Sequence, residues 1–386
     1  MGELNNSTRG GHLRFLAVLA LISLVAAVFL LARPVAAREV KAPKESDSTC
    51  LGCHGKPGLT KTLSNGEVLL LTIDASHFAN TVHAEEGLAC QDCHTDITSF
   101  PHQDFQANSL REVSLQLYTI CQKCHVAQYD KTLDSIHQKQ LAAGNFNAAI
   151  CTDCHNPHVQ QRITDPVTGT LLPDARLAIP KTCARCHSAI YQAYKDSIHG
   201  SALTDYNNLD VPTCINCHGV HNIQDPTTQS FRNNSPLLCS RCHTDAAIMS
   251  KYNLSTQVLN TYVADFHGTT ITLFEEAGSN KPSNKPVCFD CHGVHDIKRV
   301  DDPQYGIAMK KNLLVKCQVC HPGANANFPS AWMSHYIPSQ KVYPLVYYIN
   351  LFYKFFIPTV LGGMAIFVLS DVFRRLVTKI RGGSLS

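Results

Sequence analysis

The cysteines constrain this chain more than any other feature, because all 18 of them belong to one repeated motif. The 386 residues contain nine copies of C-x-x-C-H. The paired cysteines are Cys50 and Cys53, Cys90 and Cys93, Cys121 and Cys124, Cys151 and Cys154, Cys183 and Cys186, Cys214 and Cys217, Cys239 and Cys242, Cys288 and Cys291, and Cys317 and Cys320. The histidines that complete the motifs are His54, His94, His125, His155, His187, His218, His243, His292 and His321.

This spacing is typical of c-type haem attachment, in which two thioethers hold the haem and the next histidine becomes the proximal iron ligand. A disulfide framework would explain the even number of cysteines but not the histidine after every second one. Structural zinc sites also use C-x-x-C pairs, but they do not divide into nine identical motifs along a chain. The sequence therefore predicts nine covalently attached haems c.

The second axial ligands follow from the remaining histidines. The chain has 20 histidines and only 5 methionines, too few for nine irons. We expect bis-histidine ligation at most haems and low reduction potentials, because histidine in place of methionine lowers the potential. The expected distal ligands are His83, His102, His137, His158, His199, His221, His267, His295 and His335.

Two histidines outside the motifs are not needed as ligands. His12 precedes the exported part of the chain, and His77 is spare unless it replaces His83 or His102. The sequence leaves open which histidine serves which iron. His335 follows the ninth motif and is expected as the partner of His321.

The motifs form four pairs and a singlet, at about 50–102, 121–158, 183–221, 239–295 and 317–335. Linkers rich in Pro, Asn, Ser and Thr are expected at 160–180, 222–236 and 279–287. Apolar periodicity predicts short helices at 112–129, 184–199 and 245–266, and no long strand pattern occurs. The expected fold is mostly irregular with short α-helices, organised by stacked haems and ending in a transmembrane helix.

Both ends of the chain predict contact with a membrane. Residues 1–37 combine basic residues, an apolar run and a small-residue cleavage site, which is typical of a signal peptide, or of a signal anchor if uncleaved. Residues 343–354 resemble an interfacial aromatic segment, and 355–372 are apolar enough for a transmembrane helix, the alternative being a buried core helix. The basic residues in 373–386 predict a cytoplasmic end, which places residues 38–342 in the periplasm.

The charge of the chain excludes one class of function and favours one class of partner. A formal charge of +3 is too small for a dedicated nucleic-acid binder. Residues 38–342 contain 25 Lys and Arg against 28 Asp and Glu. Haem propionates add further negative charge, so we expect salt-dependent docking of basic partners.

The motifs, together with the Ser/Thr-x-His and C-H-x-x-H elements, resemble the multihaem cytochromes c of anaerobic respiratory bacteria over residues 50–335. The segment from Ala331 to Lys354 is similar to the membrane-anchored cytochrome c that works beside a cytochrome b. The resemblance implies a relay between an integral-membrane cytochrome b, or another quinol-oxidising subunit, and periplasmic redox proteins at the bacterial inner membrane. The ninth haem would be the access point on the quinone side.

Two other classes of function fit the sequence less well than this relay. A multihaem reductase of a small nitrogen oxyanion or hydroxylamine needs one iron with an open axial position, which the surplus of histidines disfavours. An extracellular cytochrome filament is disfavoured by the C-terminal span. No catalytic residue is predicted, and the chain is expected to be an electron-transfer subunit.

The exported part is too short for nine haems to build a large side-chain core, so haem faces must supply much of the buried apolar surface. We therefore expect the haem-free protein to be largely unfolded, as in metal-coupled folding. Circular dichroism of haem-free protein should show little helical signal, and a native-like spectrum would contradict this expectation.

Overall fold

The computed structural model describes residues 45–269, 280, 282, 285–332 and 335–382. The predicted signal peptide or signal anchor at 1–37 lies outside these residues. Helices are short in this part of the chain apart from the last one, and irregular segments connect them. The structure fits the expected class of a mostly helical and irregular protein with an apolar C-terminal helix.

The first helices are α1 (Glu45–His54), α2 (Ala75–Ala79), α3 (Val82–Glu85), α4 (Cys90–Cys93), α5 (Leu110–Leu117), α6 (Val126–Leu133), α7 (Ile136–Ala142), α8 (Cys151–Cys154), α9 (Pro173–Ala184) and α10 (Ser188–Lys195). They are followed by α11 (Ile198–Tyr206), α12 (Cys214–His218), α13 (Gln229–His243), α14 (Ala246–Met249), α15 (Val258–Ala264), α16 (Cys288–His292), α17 (Lys310–Cys320) and α18 (Pro344–Ile380). Strands β1 (Thr60–Thr62) and β2 (Val68–Leu70) form a two-stranded sheet.

The chain divides into two compact units. Within the described residues, the first unit comprises 45–61, 70–104 and 157–161. The second unit comprises 62–69, 105–156 and the described residues from 162 onward. In the first unit, the N–H of Val82 donates to the carbonyl of Gln160 at 2.9 Å, which ties the distant segment 157–161 to α3.

The same backbone contact recurs twice within the second unit. The N–H of Ile136 donates to the carbonyl of Ile223, and that of Ile198 to Ile297, both at 2.8 Å. In each case the first residue of a short helix binds the segment that follows a C-H-x-x-H element. Successive sequence repeats therefore interlock, because the middle helix of one repeat is fixed by the end of the next.

A buried hydroxyl begins each of these three helices. Thr81, Ser135 and Ser197 are at most 3% exposed. Their side chains accept hydrogen bonds from first-turn N–H groups at 3.0 to 3.2 Å, as N-cap residues do. The Ser/Thr-x-His element of the sequence is thus a helix start that places its histidine in the first turn.

The predicted helices exist but are interrupted. The stretch 112–129 is split into α5, a 3₁₀ segment Tyr118–Lys123 and α6, because the third haem-attachment motif lies inside it. The stretch 184–199 ends at Lys195, and a new helix begins after Ser197. The stretch 245–266 is divided by Asn253, whose left-handed φ of 54° ends the turn Ser250–Tyr252.

Two expected linkers are partly helical. Helix α9 covers the end of 160–180 and continues into the fifth motif, and α13 covers the end of 222–236 and continues into the seventh. Each helix contains an internal proline, Pro180 or Pro236, which is buried. Composition alone favoured a loop at these positions, whereas tertiary packing stabilises a helix.

Side chains supply little core among the described residues. The buried hydrophobic residues are Leu63, Ala89, Ala148, Ile150, Tyr194, Leu203, Met249, Tyr262, Val287 and Ala324. Tyr262 and Val287 form a small cluster in the second unit, with Leu259, Val263 and Phe289 packed around it. Such scattered burial agrees with the expectation that haem faces contribute apolar surface.

Helix α18 is long and apolar enough to cross a membrane, and the most apolar stretch of the helix is not buried by the protein. Its 37 residues span about 55 Å, more than the bilayer core of about 30 Å. The expected interfacial segment 343–354 and the start of the basic end at 373–386 therefore belong to the same helix as the span.

Replacing Leu361 by Arg places a charge near the middle of the apolar stretch, which costs about 2.5–3.5 kcal/mol of insertion free energy. We expect Leu361→Arg to increase the fraction of the protein released from membranes by an alkaline wash. Val377→Arg, in the basic last turns of the helix, is the matched control and should stay membrane-bound. Equal release of both variants would contradict a transmembrane role for this helix.

Candidate haem sites

The second attachment motif of each pair is a helical turn that is capped by its own side chain. Asp92, Asp153, Asn216 and Asp290 stand just before the second cysteine of these motifs. Their side-chain oxygens accept a hydrogen bond from the N–H of the residue before the first cysteine, at 2.6 to 2.8 Å. Sequence reasoning missed this role, although the Asp or Asn in alternate motifs was the available signal.

Eight motif histidines face a second histidine in the described part of the chain. In the first unit, the ring centroids are 6.0 Å apart both for His54 and His102 and for His94 and His158. In the second unit, the paired rings lie at 6.0 to 6.5 Å and are His155 with His221, His187 with His137, His218 with His295, His243 with His199, His292 with His335, and His321 with His267.

This spacing fits an iron between the two rings. A metal-bound imidazole nitrogen lies about 2.0 Å from its metal, so two opposed rings on one metal have centroids about 6.3 Å apart. Among the described residues, no group of three or more His, Cys, Asp or Glu could hold a metal ion. Two imidazoles suffice when a porphyrin supplies the other four ligands, so the residues fit haem and disfavour the zinc alternative.

Hydrogen bonds orient the rings of two predicted ligands, His54 and His83, so that Nε2 is left for a metal. The Nδ1 atom of His54 lies 2.9 Å from the carbonyl of Leu71, and that of His83 lies 3.4 Å from the carbonyl of Pro157. A metal-bound histidine usually donates its other ring N–H to such an acceptor. The contact to Pro157 supports His83 as a ligand.

His77 has a different environment. Its side chain is 71% exposed, and Nδ1 lies 3.7 Å from a carboxylate oxygen of Asp74. This geometry fits the expected spare histidine. The remaining motif histidine, His125, belongs to the second unit, where it also interacts with other residues.

Burial favours the neutral form of ten of the paired rings. Desolvation lowers the pKa of His199 and of His292 to about 4. It also lowers the pKa of His94, His137, His158, His218, His221, His243, His295 and His335. Neutral imidazole is the form that binds metal, so these sites are ready to ligate at neutral pH.

Most ring pairs join two different sequence repeats. His137 and His199, which lie in the first turns of α7 and α11, face the first motif of the following pair. His221 and His295, which follow C-H motifs, face the second motif of the preceding pair. Among the ring pairs in the described part of the chain, His54 alone faces a histidine of its own pair of motifs, which is His102. Each repeat therefore completes the ligand sets of its neighbours.

One expected pairing is wrong. His335 was expected beside His321, but its ring faces His292, and His321 faces His267. The reason is the interlocking of the repeats: a trailing histidine reaches back to the preceding pair. The singlet motif thus behaves as half of a fifth repeat.

The attachment cysteines follow one another in space in the order of the sequence. Within a pair, the first cysteines of both motifs meet, and the hydrogen bond between their thiols raises the pKa of Cys121, Cys183 and Cys239. Their partners are Cys151, Cys214 and Cys288.

Between one pair of motifs and the next, the last cysteine of the earlier pair lies near both cysteines of the following motif. Cys154 interacts electrostatically with Cys183 and Cys186, Cys217 with Cys239 and Cys242, and Cys291 with Cys317 and Cys320. In the second unit, consecutive attachment sites from Cys121 to Cys320 are therefore neighbours.

Comparison with known proteins gives one match. Residues 82–165 match the family model described as cytochrome c3. No curated protein and no solved structure matches the chain. The matched segment contains the second, third and fourth motifs.

The match and the geometry support a multihaem cytochrome c, a protein that transfers electrons through covalently bound haem.

The pairing of His335 can be tested after removal of the ninth attachment site by Cys317→Ser and Cys320→Ser. In that background, we expect His335→Ala to convert one further haem to the high-spin ferric form, because His335 faces His292. Electron paramagnetic resonance of the oxidised protein measures this change. His77→Ala is the control and should leave every remaining haem low-spin. If His335→Ala produced no additional high-spin signal, the pairing with His292 would be wrong and His335 would be assigned to the ninth site.

Proposed function

We propose that this protein is a membrane-anchored nonahaem cytochrome c that relays electrons between a quinol-linked cytochrome b partner and periplasmic redox proteins in anaerobic respiration. The observation that carries the proposal is the adjacency of consecutive attachment cysteines along the second unit. A relay needs redox groups in an unbroken series, and this arrangement of the chain supports one.

The cysteines and histidines would have different roles in this relay. Haem c supplies a one-electron iron couple when it is bound. The cysteine pairs would fix the order of the sites, and the paired histidines would hold the iron. Ligands shared between neighbouring repeats fix each site to the next, so the spacing along the series is set by the fold.

The C-terminal helix supports a membrane end of the relay. Helix α17 carries the ninth motif, and α18 begins at Pro344. The last turns of α18 contain Arg374, Arg375 and Lys379. By the positive-inside rule, these residues favour a cytoplasmic end and hence a periplasmic haem domain.

The membrane partner is proposed to be a separate subunit. Helix α18 contains no histidine that could hold a haem b. Its apolar face, including Leu351, Phe355 and Phe356, is exposed. A cytochrome b or another quinol-oxidising subunit would supply the quinone site, and the acidic haem domain favours a basic periplasmic partner.

The eight ring pairs favour this relay over the reductase alternative. A reductase of a nitrogen oxyanion or hydroxylamine needs an iron with an open axial position. Each of the eight motif histidines described above instead faces a second imidazole.

Membranes that contain the native complex test the proposal with two matched variants. Cys317→Ser with Cys320→Ser removes the site nearest the membrane in sequence, and Cys50→Ser with Cys53→Ser removes the first site. With a reduced quinol analogue, we expect the first variant to lose reduction of the remaining haems c, because the quinone-side site is absent. The second variant should retain that reduction.

A pyridine haemochrome assay controls this experiment. The parent complex should contain about nine haems c together with stoichiometric haem b, and each variant should lose one haem c. Equal reduction of both variants, or haem c without haem b, would contradict the quinol-linked relay.

A further inference from the structure

The second attachment motifs of the last three pairs are built alike except at one position. Asp153 and Asp290 cap two of these turns, whereas Asn216 caps the third. An amide can accept the same hydrogen bond from the backbone as a carboxylate, so the local fold is retained. The difference between the three turns is therefore one negative charge.

An arginine from an earlier helix donates hydrogen bonds at, or just before, each of these turns. The Nη1 atom of Arg111 donates to Asp153 at 2.8 Å. Arg232 donates to Asp290 through Nη1 and Nη2, both at 2.8 Å, and to the carbonyl of Lys285 at 3.0 Å. Both arginines are thus neutralised by the carboxylate that caps the turn.

Arg176 is the corresponding arginine of the third pair. Its Nη2 atom donates to the carbonyl of Val211 at 2.7 Å. Its Nε atom is buried and has no hydrogen-bond partner. The acid that interacts with it electrostatically, Asp210, is partly buried and already accepts hydrogen bonds at 2.9 Å from Lys251 and from Tyr252. The positive charge of Arg176 is therefore not matched by a carboxylate on the turn.

The cations beside the second cysteines do not distinguish the three turns. Arg185 interacts with Cys154, Arg241 with Cys217 and Lys316 with Cys291. Each second cysteine thus faces one cation that lies within or just before the next motif. The sites do differ at their distal histidines, since Lys131 interacts with His221, Asp296 with His295 and Asp265 with His335. At the turns themselves, the contrast in charge is the residue at Asn216.

We infer that Asn216 and Arg176 raise the reduction potential of the haem site at His218. The chain holds one more positive charge at this turn than at Asp153 or Asp290, and positive charge favours the reduced, less positive iron. A carboxylate at position 216 would offset that charge and lower the potential of the site. This inference rests on the proposed haem-binding function and deepens it, because it names the side chains that set the potential of one site in the relay.

The test is a potentiometric titration of the purified full-length protein, followed by the haem absorbance change. Asn216→Asp restores the missing carboxylate and keeps the cap, so about one ninth of the total change should move to lower potential. Asp153→Asn and Asp290→Asn are the matched reverse variants, and each should move about one ninth to higher potential.

Arg176→Gln separates charge from packing. It removes the positive charge without adding a carboxylate, so it should move the titration in the same direction as Asn216→Asp. Haem content and the low-spin resonance spectrum should be unchanged in all four variants, which shows that the sites are intact. An unshifted titration for Asn216→Asp, or opposite shifts for Asn216→Asp and Arg176→Gln, would overturn the inference.

This result can be separated from failure of the proposed function. The haem c count and reduction of the parent by a quinol analogue test the relay itself. A parent that passes both tests, combined with an unshifted Asn216→Asp titration, would reject only the assigned effect of Asn216 and Arg176.

Discussion

The facing of two imidazoles from different repeats is the interaction on which the rest of this structure depends. A c-type attachment motif fixes the haem and one axial ligand within five residues, but the second ligand comes from a distant segment. The pairs of His187 with His137 and of His218 with His295 connect neighbouring repeats in this way. The backbone hydrogen bonds from Ile136 and Ile198 secure the same connections.

This arrangement explains how a chain with so few buried apolar side chains can hold a defined fold. The short helices of His83, His137 and His199 begin at buried hydroxyl caps, and the second attachment turn of each pair is capped by Asp or Asn. Local hydrogen bonds therefore shape each ligand-bearing turn, while ligation is expected to join the turns. The free energy of folding would then depend strongly on cofactor binding, as in other metal-coupled folds.

Electrostatics adds a second level of organisation to the repeats. The ion pairs of Arg111 with Asp153 and of Arg232 with Asp290 are partly buried, so solvent screens them less than surface pairs. Replacement of one carboxylate by Asn216 changes charge without changing the capping geometry. A repeated scaffold can thus carry sites with different electronic properties, and such differences are useful in a protein that distributes electrons among similar groups.

The sequence alone identified the candidate attachment sites, the candidate proximal histidines, the surplus of distal candidates and the apolar C-terminal helix, because each depends on local spacing or composition. It also located short helices, although not their breaks at Asn253 and within the third motif. It did not decide that His335 faces His292, that consecutive cysteines meet in sequence order, or that Arg176 lacks a carboxylate on its turn. These features arise from contacts between segments far apart in the chain, and only the tertiary structure brings such segments together.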